Sequence, residues 1–231
     1  MARYGAARIH LTSFKSVAYL TSVTRQSYIA LSFPYTFSDI DGDGDLDIIT
    51  ANYNDDKASV RFNNGAGVFS GSTELAVGSQ PQSVVTADVD GDGDQDLLVS
   101  NGASSTISVR LSSGDGTFTN GPDVAVGSVP FSVTTADANN DGDIDLVTGS
   151  YLSTTVSVRL NNGSGLFSGA TNLTAGTQPR GVTTTDIDGD GDLDLLVVNA
   201  GSNNLNIFVN NGNRGFTLGA TLAVGDFPRG G

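Results

Sequence analysis

Short apolar stretches alternate with polar ones along the whole chain, and no window keeps a 3.6-residue apolar period long enough for a helix. The clearest alternation runs through Ile107, Val109 and Leu111, with Ser108 and Arg110 between them. Val156, Val158, Leu160 and then Leu205, Ile207, Val209 repeat it. A period of two predicts an antiparallel strand with one buried face. Around each such strand, taken as the third of a unit, three more are predicted. The first strand is the run Ser83–Ala87. The second is Ile48–Thr50, Leu97–Ser100, Leu146–Thr148 and Leu195–Val198. The fourth is represented by Thr73–Val77. Between the third and fourth lie Asn63-Asn64-Gly65 and Asn161-Asn162-Gly163, where Asn-Gly supplies the positive φ of a tight hairpin.

The pattern recurs with a fixed step of 49 residues, seen at Asp39, Asp88, Asp137 and Asp186. Gly65, Gly114, Gly163 and Gly212 keep this step, as do Phe69, Phe118, Phe167 and Phe216, and Pro81, Pro130, Pro179 and Pro228. Units of 40–50 residues, each of four antiparallel strands, predict an all-β fold, a β-propeller of four-stranded blades. Counted from the first Asp, the blades are 39–87, 88–136, 137–185 and 186–231. The alternative is a β-solenoid, but its strands pair in parallel, and the hairpin signals inside each unit count against it. Residues 1–38 diverge from the repeat. They carry β-like runs at Arg8–Phe14, Val17–Val23 and Tyr28–Phe33, enough for part of a fifth blade.

Charge sharpens the picture. Of the 231 residues, 11 are Lys or Arg and 25 are Asp or Glu, a formal net charge of −14. Residues 1–38 hold cations and no acid, so the repeats are more acidic still. Such a balance argues against nucleic acid, which needs clustered Lys and Arg. No apolar run is long enough to insert into a membrane. With no Cys, disulfides and thiol chemistry are excluded.

Glu74 is the one glutamate, and 19 of the 25 acids fall in four clusters. These are Asp39, Asp41, Asp43, Asp45, Asp47; Asp88, Asp90, Asp92, Asp94, Asp96; Asp137, Asp141, Asp143, Asp145, with Asn139 in the place of an acid; and Asp186, Asp188, Asp190, Asp192, Asp194. Each reads D-x-D-x-D-G-D-x-D, with glycine at position six. Positions 1, 3, 5 and 9 offer side-chain oxygens and position 7 a backbone carbonyl. The glycine permits the sharp turn that wraps them around one point, the logic of calcium loops in helical hands. Two carboxylates ~5 Å apart at an effective dielectric of ~20 repel by ~3 kcal/mol. Five in nine residues would splay the loop without a cation. Up to four Ca²⁺ are therefore expected, with the third site the weakest because Asn139 drops a charge. Mg²⁺ is less suited, since it wants a tight octahedron and keeps its waters.

The string Asp-Ile-Asp-Gly-Asp-Gly-Asp-Leu-Asp at 39–47 and 186–194, with Ser-Val-Arg-Leu and Asn-Asn-Gly-x-Gly-x-Phe downstream, resembles the FG-GAP/VCBS repeat family. Integrin α-subunit propellers carry similar loops. The resemblance covers residues 39–231 and implies calcium in the hairpin between the first and second strands. It also implies an extracellular or cell-surface setting, in adhesion, carbohydrate binding or large secreted enzymes. Propellers of this kind commonly have seven blades, so four units lead us to expect a fragment, or a small ring of four or five. Residues 1–20 do not read as a signal peptide, because His10, Thr12, Ser13 and Lys15 interrupt any apolar region.

In such a blade the Asp loops occupy one rim and the remaining loops the other. That second rim carries Tyr53 and Tyr151 in its turns, and Gln82, Phe131, Arg180 and Arg229 at one equivalent crossover position. Tyr53, Tyr151, Phe131 and Arg180 are the candidate ligand contacts, for a protein or a carbohydrate. Ordinary loop variation competes with that reading. Arg61, Arg110 and Arg159 recur mid-strand, where their stems would pack between blades and their heads reach acids. No catalysis is expected: His10 is the only histidine and lies outside the repeats, which excludes a Ser-His-Asp triad within them. The expected protein is a calcium-binding propeller module for adhesion or ligand binding. The alternatives are a lectin-like propeller and a non-catalytic accessory domain of a secreted enzyme.

Overall fold

The computed structural model describes residues 34–213 and 215–229. The β-like runs at Arg8–Phe14, Val17–Val23 and Tyr28–Phe33, and His10, lie outside the described residues.

Among the described residues all regular structure is β, in four antiparallel sheets. The first sheet holds β1 (Tyr35–Ser38), β2 (Asp47–Asn52), β3 (Lys57–Asn63) and β4 (Phe69–Ala76) in that order. The second holds β5 (Pro81–Ala87), β6 (Asp96–Asn101), β7 (Thr106–Ser112), β8 (Phe118–Asn120) and β9 (Val124–Ala125). The third runs β10 (Pro130–Ala136), β11 (Asp145–Ser150), β12 (Thr155–Leu160), β13 (Ser168–Thr174). The fourth runs β14 (Pro179–Thr185), β15 (Asp194–Asn199), β16 (Asn204–Val209), β17 (Thr217–Ala223). Apart from β9, each strand pairs with a chain neighbour in its own sheet, as four-stranded meanders require, and among the described residues every pair is antiparallel, unlike the parallel pairs of a solenoid. In the second sheet Gly121 and Pro122 split the last strand, so β8 and β9 both pair with β7.

Successive sheets pack face to face. Ile49, Val60 and Ala58 of the first meet Val84, Leu97 and Val99 of the second. Leu98, Ile107 and Val109 then meet Val133 and Leu146, and Val147, Val156 and Val158 meet Leu195 and Val197. Each inner sheet is thus covered on both faces, which corrects the expectation of half-buried third strands. Ser108 and Ser157 are fully buried, and Arg110 is only 7 % exposed. Their polar groups are satisfied across the sheet joint. Arg110 Nε and Nη2 donate to the Ala76 carbonyl, and Arg159 Nε donates to that of Ala125 at 3.0 Å. The guanidinium heads chiefly find carbonyls rather than acids. Arg61, on the uncovered face of the first sheet, does pair with an acid, Glu74, at 2.8 Å.

Among the described residues, nothing gives the outermost faces this cover. On the fourth sheet Leu196, Val198, Leu205 and Ile207 are only half-buried, where their counterparts Leu98, Ile107 and Val109 have no exposure. On the first sheet Tyr35 and Phe37 are exposed and meet edge to face. A cavity of about 530 Å³ lies along the first strands of all four sheets, lined by Tyr35, Val84, Val133, Val182, Leu196 and Val198 among others.

Candidate metal loops and the opposite rim

The Asp loops join the first and second strands of each sheet, where sequence placed them. Each opens with a carboxylate that folds its own backbone. Asp39 Oδ1 accepts from the Gly42 N–H at 2.9 Å, and its Oδ2 accepts from Gly44 at 2.9 Å. Asp88 and Asp186 repeat both bonds. In the third loop Asp137 accepts from Asp141 and Gly142. Position 5 accepts from position 7: Asp43 from Asp45, Asp92 from Asp94, Asp141 from Asp143, and Asp190 from Asp192. The glycine at position six has φ between 91° and 97° in all four copies, a region that L side chains avoid.

Position 9 behaves differently. Asp47, Asp96, Asp145 and Asp194 are fully buried and open the second strand, which begins earlier than its apolar run suggests. Each uses both oxygens as a latch. Asp96 Oδ2 accepts from the Val89 N–H at 2.8 Å and Oδ1 from the Ser112 N–H at 2.8 Å, tying the loop to the end of the third strand. The same pair of bonds recurs for Asp47, Asp145 and Asp194. Burial pushes the Asp96 and Asp145 carboxyls up to about 6, against these N–H donors and with help from nearby loop aspartates. Desolvation and neighbouring acids also raise Asp41, Asp90 and Asp188 at position 3. At position 7, the Asp45, Asp94, Asp143 and Asp192 carboxylates turn toward the glycine of the adjacent turn. A Cβ on Gly65 would stand 2.4 Å from Asp45 Oδ2, which explains the glycine there. That turn is not a two-residue hairpin: Asn64 N–H donates to the Val68 carbonyl, and both Gly65 and Gly67 have positive φ.

Three loops gather three carboxylates each, one oxygen of each within 4.8 Å of the others: Asp39, Asp41, Asp43; Asp88, Asp90, Asp96; and Asp186, Asp188, Asp194. Such all-oxygen sets can hold a hard cation. Asp41 Oδ1 is buried with no hydrogen-bond partner, which suits an ion rather than a solvated turn. In the third loop the Asn139 amide donates to Asp141 at 2.8 Å, so a proton donor occupies part of the space where the others carry charge.

Two ties between sheets escaped the sequence reading. Asn161 Nδ2 donates to the Val89 carbonyl at 2.7 Å, and Asn210 Nδ2 to that of Ala138 at 3.1 Å. Each links the turn of one sheet to the Asp loop of the sheet before. Their recurrence at a 49-residue step was the available signal, but turn chemistry explained those asparagines already.

The same Asp-loop unit thus recurs at a 49-residue step in all four sheets. The model of the FG-GAP-like repeat matches residues 39–99, 88–148 and 137–197, each span running from one Asp loop through the next. The chain belongs to the FG-GAP-like repeat family. No curated protein is similar enough in sequence to count as a relative of this FG-GAP-like chain. Among solved structures it is similar to an Agrocybe aegerita lectin that recognises non-reducing terminal N-acetylglucosamine, at 25% identity and a TM-score of 0.56 over 82% of this chain and 51% of that one. It is similar in fold to BBS1N, crystallised with ARL6DN, at 16% identity and a TM-score of 0.58, over 85% and 58% of the two chains. A Desulfotomaculum acetoxidans protein of unknown function matches at 15% and 0.60, over 86% and 59%. The FG-GAP-like chain thus spans a little over half the length of these structures.

The opposite rim of the FG-GAP-like sheets holds the candidate ligand residues. The structure brings three of the four together. The Phe131 and Tyr151 rings lie 5.6 Å apart, and Arg180 Cζ stands 4.4 Å from the Phe131 centroid. Phe131 and Arg180 are buried and Tyr151 half-buried. Tyr53 is exposed on the turn of the first sheet. The cluster also contains Phe227, 5.8 Å from both Arg180 Cζ and Arg229 Cζ, which sequence reasoning did not single out. No helix among the described residues is long and apolar enough to cross a membrane.

Proposed function

We propose that the chain is a calcium-binding, non-catalytic β-propeller module of an extracellular or cell-surface protein, with Ca²⁺ held in the Asp loops and a ligand met on the other rim. The observation that carries this reading is the convergence of loop carboxylates within 4.8 Å in three of the four copies. Bound Ca²⁺ would supply positive charge that cancels carboxylate repulsion and cross-links each loop. Positions 1, 3, 5 and 9 offer the side-chain oxygens, and position 7 its carbonyl. Position 1 already folds the loop backbone, and position 9 anchors it to the third strand, so the donors are pre-organised. Four ions would take the formal charge from −14 to −6.

The second reading, a lectin-like rim, has the similarity to the A. aegerita lectin in its favour, together with aromatic rings gathered on loops.

Thermal unfolding in Ca²⁺ and after chelation, followed by calcium titration, tests the first reading. A calcium-dependent rise in Tm with up to four ions bound supports it. An unchanged Tm and no bound ion would leave the loops as acidic turns. A glycan array tests the second.

A further inference from the structure

The rim opposite the Asp loops is not uniform. In the first crossover the two rim positions are Gln80 and Gln82, whereas the last crossover carries Phe227 and Arg229. Phe227 sits at φ 50°, the left-handed region, like its counterpart Gln80 at 55°. The backbone conformation therefore belongs to the repeat. Its N–H donates to Asn203 Oδ1 at 2.8 Å, which holds it there. Val129 holds the equivalent position at φ 54°, so the repeat accepts bulky residues at this left-handed φ; Phe227 is set apart by its 43% exposure beside two guanidinium groups.

Beside the ring stand two guanidinium groups. Arg229 is exposed, while Arg180 lies beneath with 3% exposure, its head 4.4 Å from the Phe131 centroid. The two are near enough that Arg229 disfavours the charge on Arg180, after desolvation, which is the larger cause. The neighbouring Asp226 is engaged by Asn203 Nδ2 at 3.3 Å. In a chain of net charge −14, this places paired positive charge on the rim away from the acidic loops. Phe227 offers an exposed ring with both guanidinium groups 5.8 Å from its centroid, Tyr151 a half-buried ring, and Arg229 a planar fork. A ring face suits the C–H face of a sugar, and the fork suits a carboxylate.

We propose that the rim around Phe227, Arg229 and Tyr151 binds a carboxylated saccharide, such as a uronic-acid unit, with its carboxylate on Arg229 and its ring against Phe227. Arg180 lies behind, adding charge and fixing Phe131. The proposal rests on the lectin-like reading of this rim and names its ligand class.

The test is calorimetric titration of the calcium-loaded protein with a tetrasaccharide containing glucuronate, and with the same tetrasaccharide after reduction of its carboxyl groups. The acidic form is expected to bind at least tenfold more tightly. Arg229→Ala, at an exposed position, is expected to erase that preference without moving the Tm. Phe227→Ala is expected to weaken both sugars. Equal binding of the two sugars, or an Arg229→Ala variant that keeps the preference, would overturn the carboxylate assignment while leaving a saccharide-binding rim intact. Binding of neither sugar would overturn the carboxylate assignment, while the lectin-like reading falls only if the glycan array is also blank, and the calcium titration stands apart from both.

Discussion

The buried latch at position 9 offers the sharpest test of how these loops are held. Asp96→Asn preserves size and one acceptor oxygen but replaces the other with an amide donor. Asp96 now accepts from two buried N–H groups, Val89 and Ser112, each at 2.8 Å. The variant can satisfy one of them and must point N–H₂ at the other. Losing a charge-assisted hydrogen bond and stranding a buried donor costs about 2–4 kcal/mol. For a chain of this size that corresponds to a fall of about 4–16 °C in Tm. The assay is thermal unfolding in saturating Ca²⁺, with Asp94→Asn as control. Asp94 lies two residues away and carries equal charge, but its half-buried carboxylate faces only the turn at Gly114 and latches no pair of strands. Its replacement is expected to cost about 0–1 kcal/mol. If Asp96→Asn melts with the wild type, the latch does not anchor the loop; if the two variants fall equally, loss of charge alone accounts for the effect.

Four further outcomes follow from the same geometry. In calcium-stripped protein, folded Asp96 and Asp145 hold protons up to about 6, above the ordinary aspartate value of ~4. The folded state then binds more protons between these values, so stability falls as pH rises through 6. A urea midpoint higher at pH 7.5 than at pH 5 would contradict this. Gly163→Ala should destabilise more than Gly189→Ala. Both have positive φ, a cost of about 1–2 kcal/mol, but a Cβ on Gly163 also stands 2.6 Å from Asp143 Oδ1 and one on Gly189 meets nothing within 4 Å. Arg110→Met removes the donors to the Ala76 carbonyl across a buried joint and should cost about 2–4 kcal/mol in denaturant unfolding, against about 0–1 for Arg61→Met on an exposed ion pair. Asn139→Asp should raise calcium affinity at the third loop by making all four side-chain ligand positions carboxylates, read as a tighter step in titration; an unchanged isotherm would mean that charge count does not rank the sites.

The repeat step, the strand order and the Asp loops were all legible in the sequence, because each depends on local spacing. What lay between the sheets was not. Alternation gave the third strand one buried face and packed only the Arg110 stem between blades, whereas the burial of Ser108 and of the Arg110 head against the Ala76 carbonyl comes from the preceding sheet. Asp96 read as loop, yet it opens β6 and serves both loop and strand. Asn161 read as a turn former, while its amide reaches a carbonyl 72 residues back. Phe227 drew no attention, since neither an isolated phenylalanine nor its φ can be seen as unusual before the backbone is known. The split of β8 and β9 was visible in principle, through Pro122.

The outward faces of the first and fourth sheets bear on how the molecule comes apart. In a row of like units, stability is a sum of unit terms and junction terms between nearest neighbours. Among the described residues, the two inner sheets own two junctions each and the outer ones a single junction. Unravelling should therefore start at the flanks, with Leu196, Val198, Tyr35 and Phe37 already close to solvent. The middle junction, where Leu98, Ile107 and Val109 close on Val133 and Leu146, governs whether the row fails in one event or divides into two halves. A weak middle junction would make amide exchange report two separate cooperative blocks, and a strong one would make it report a single front moving inward from each flank.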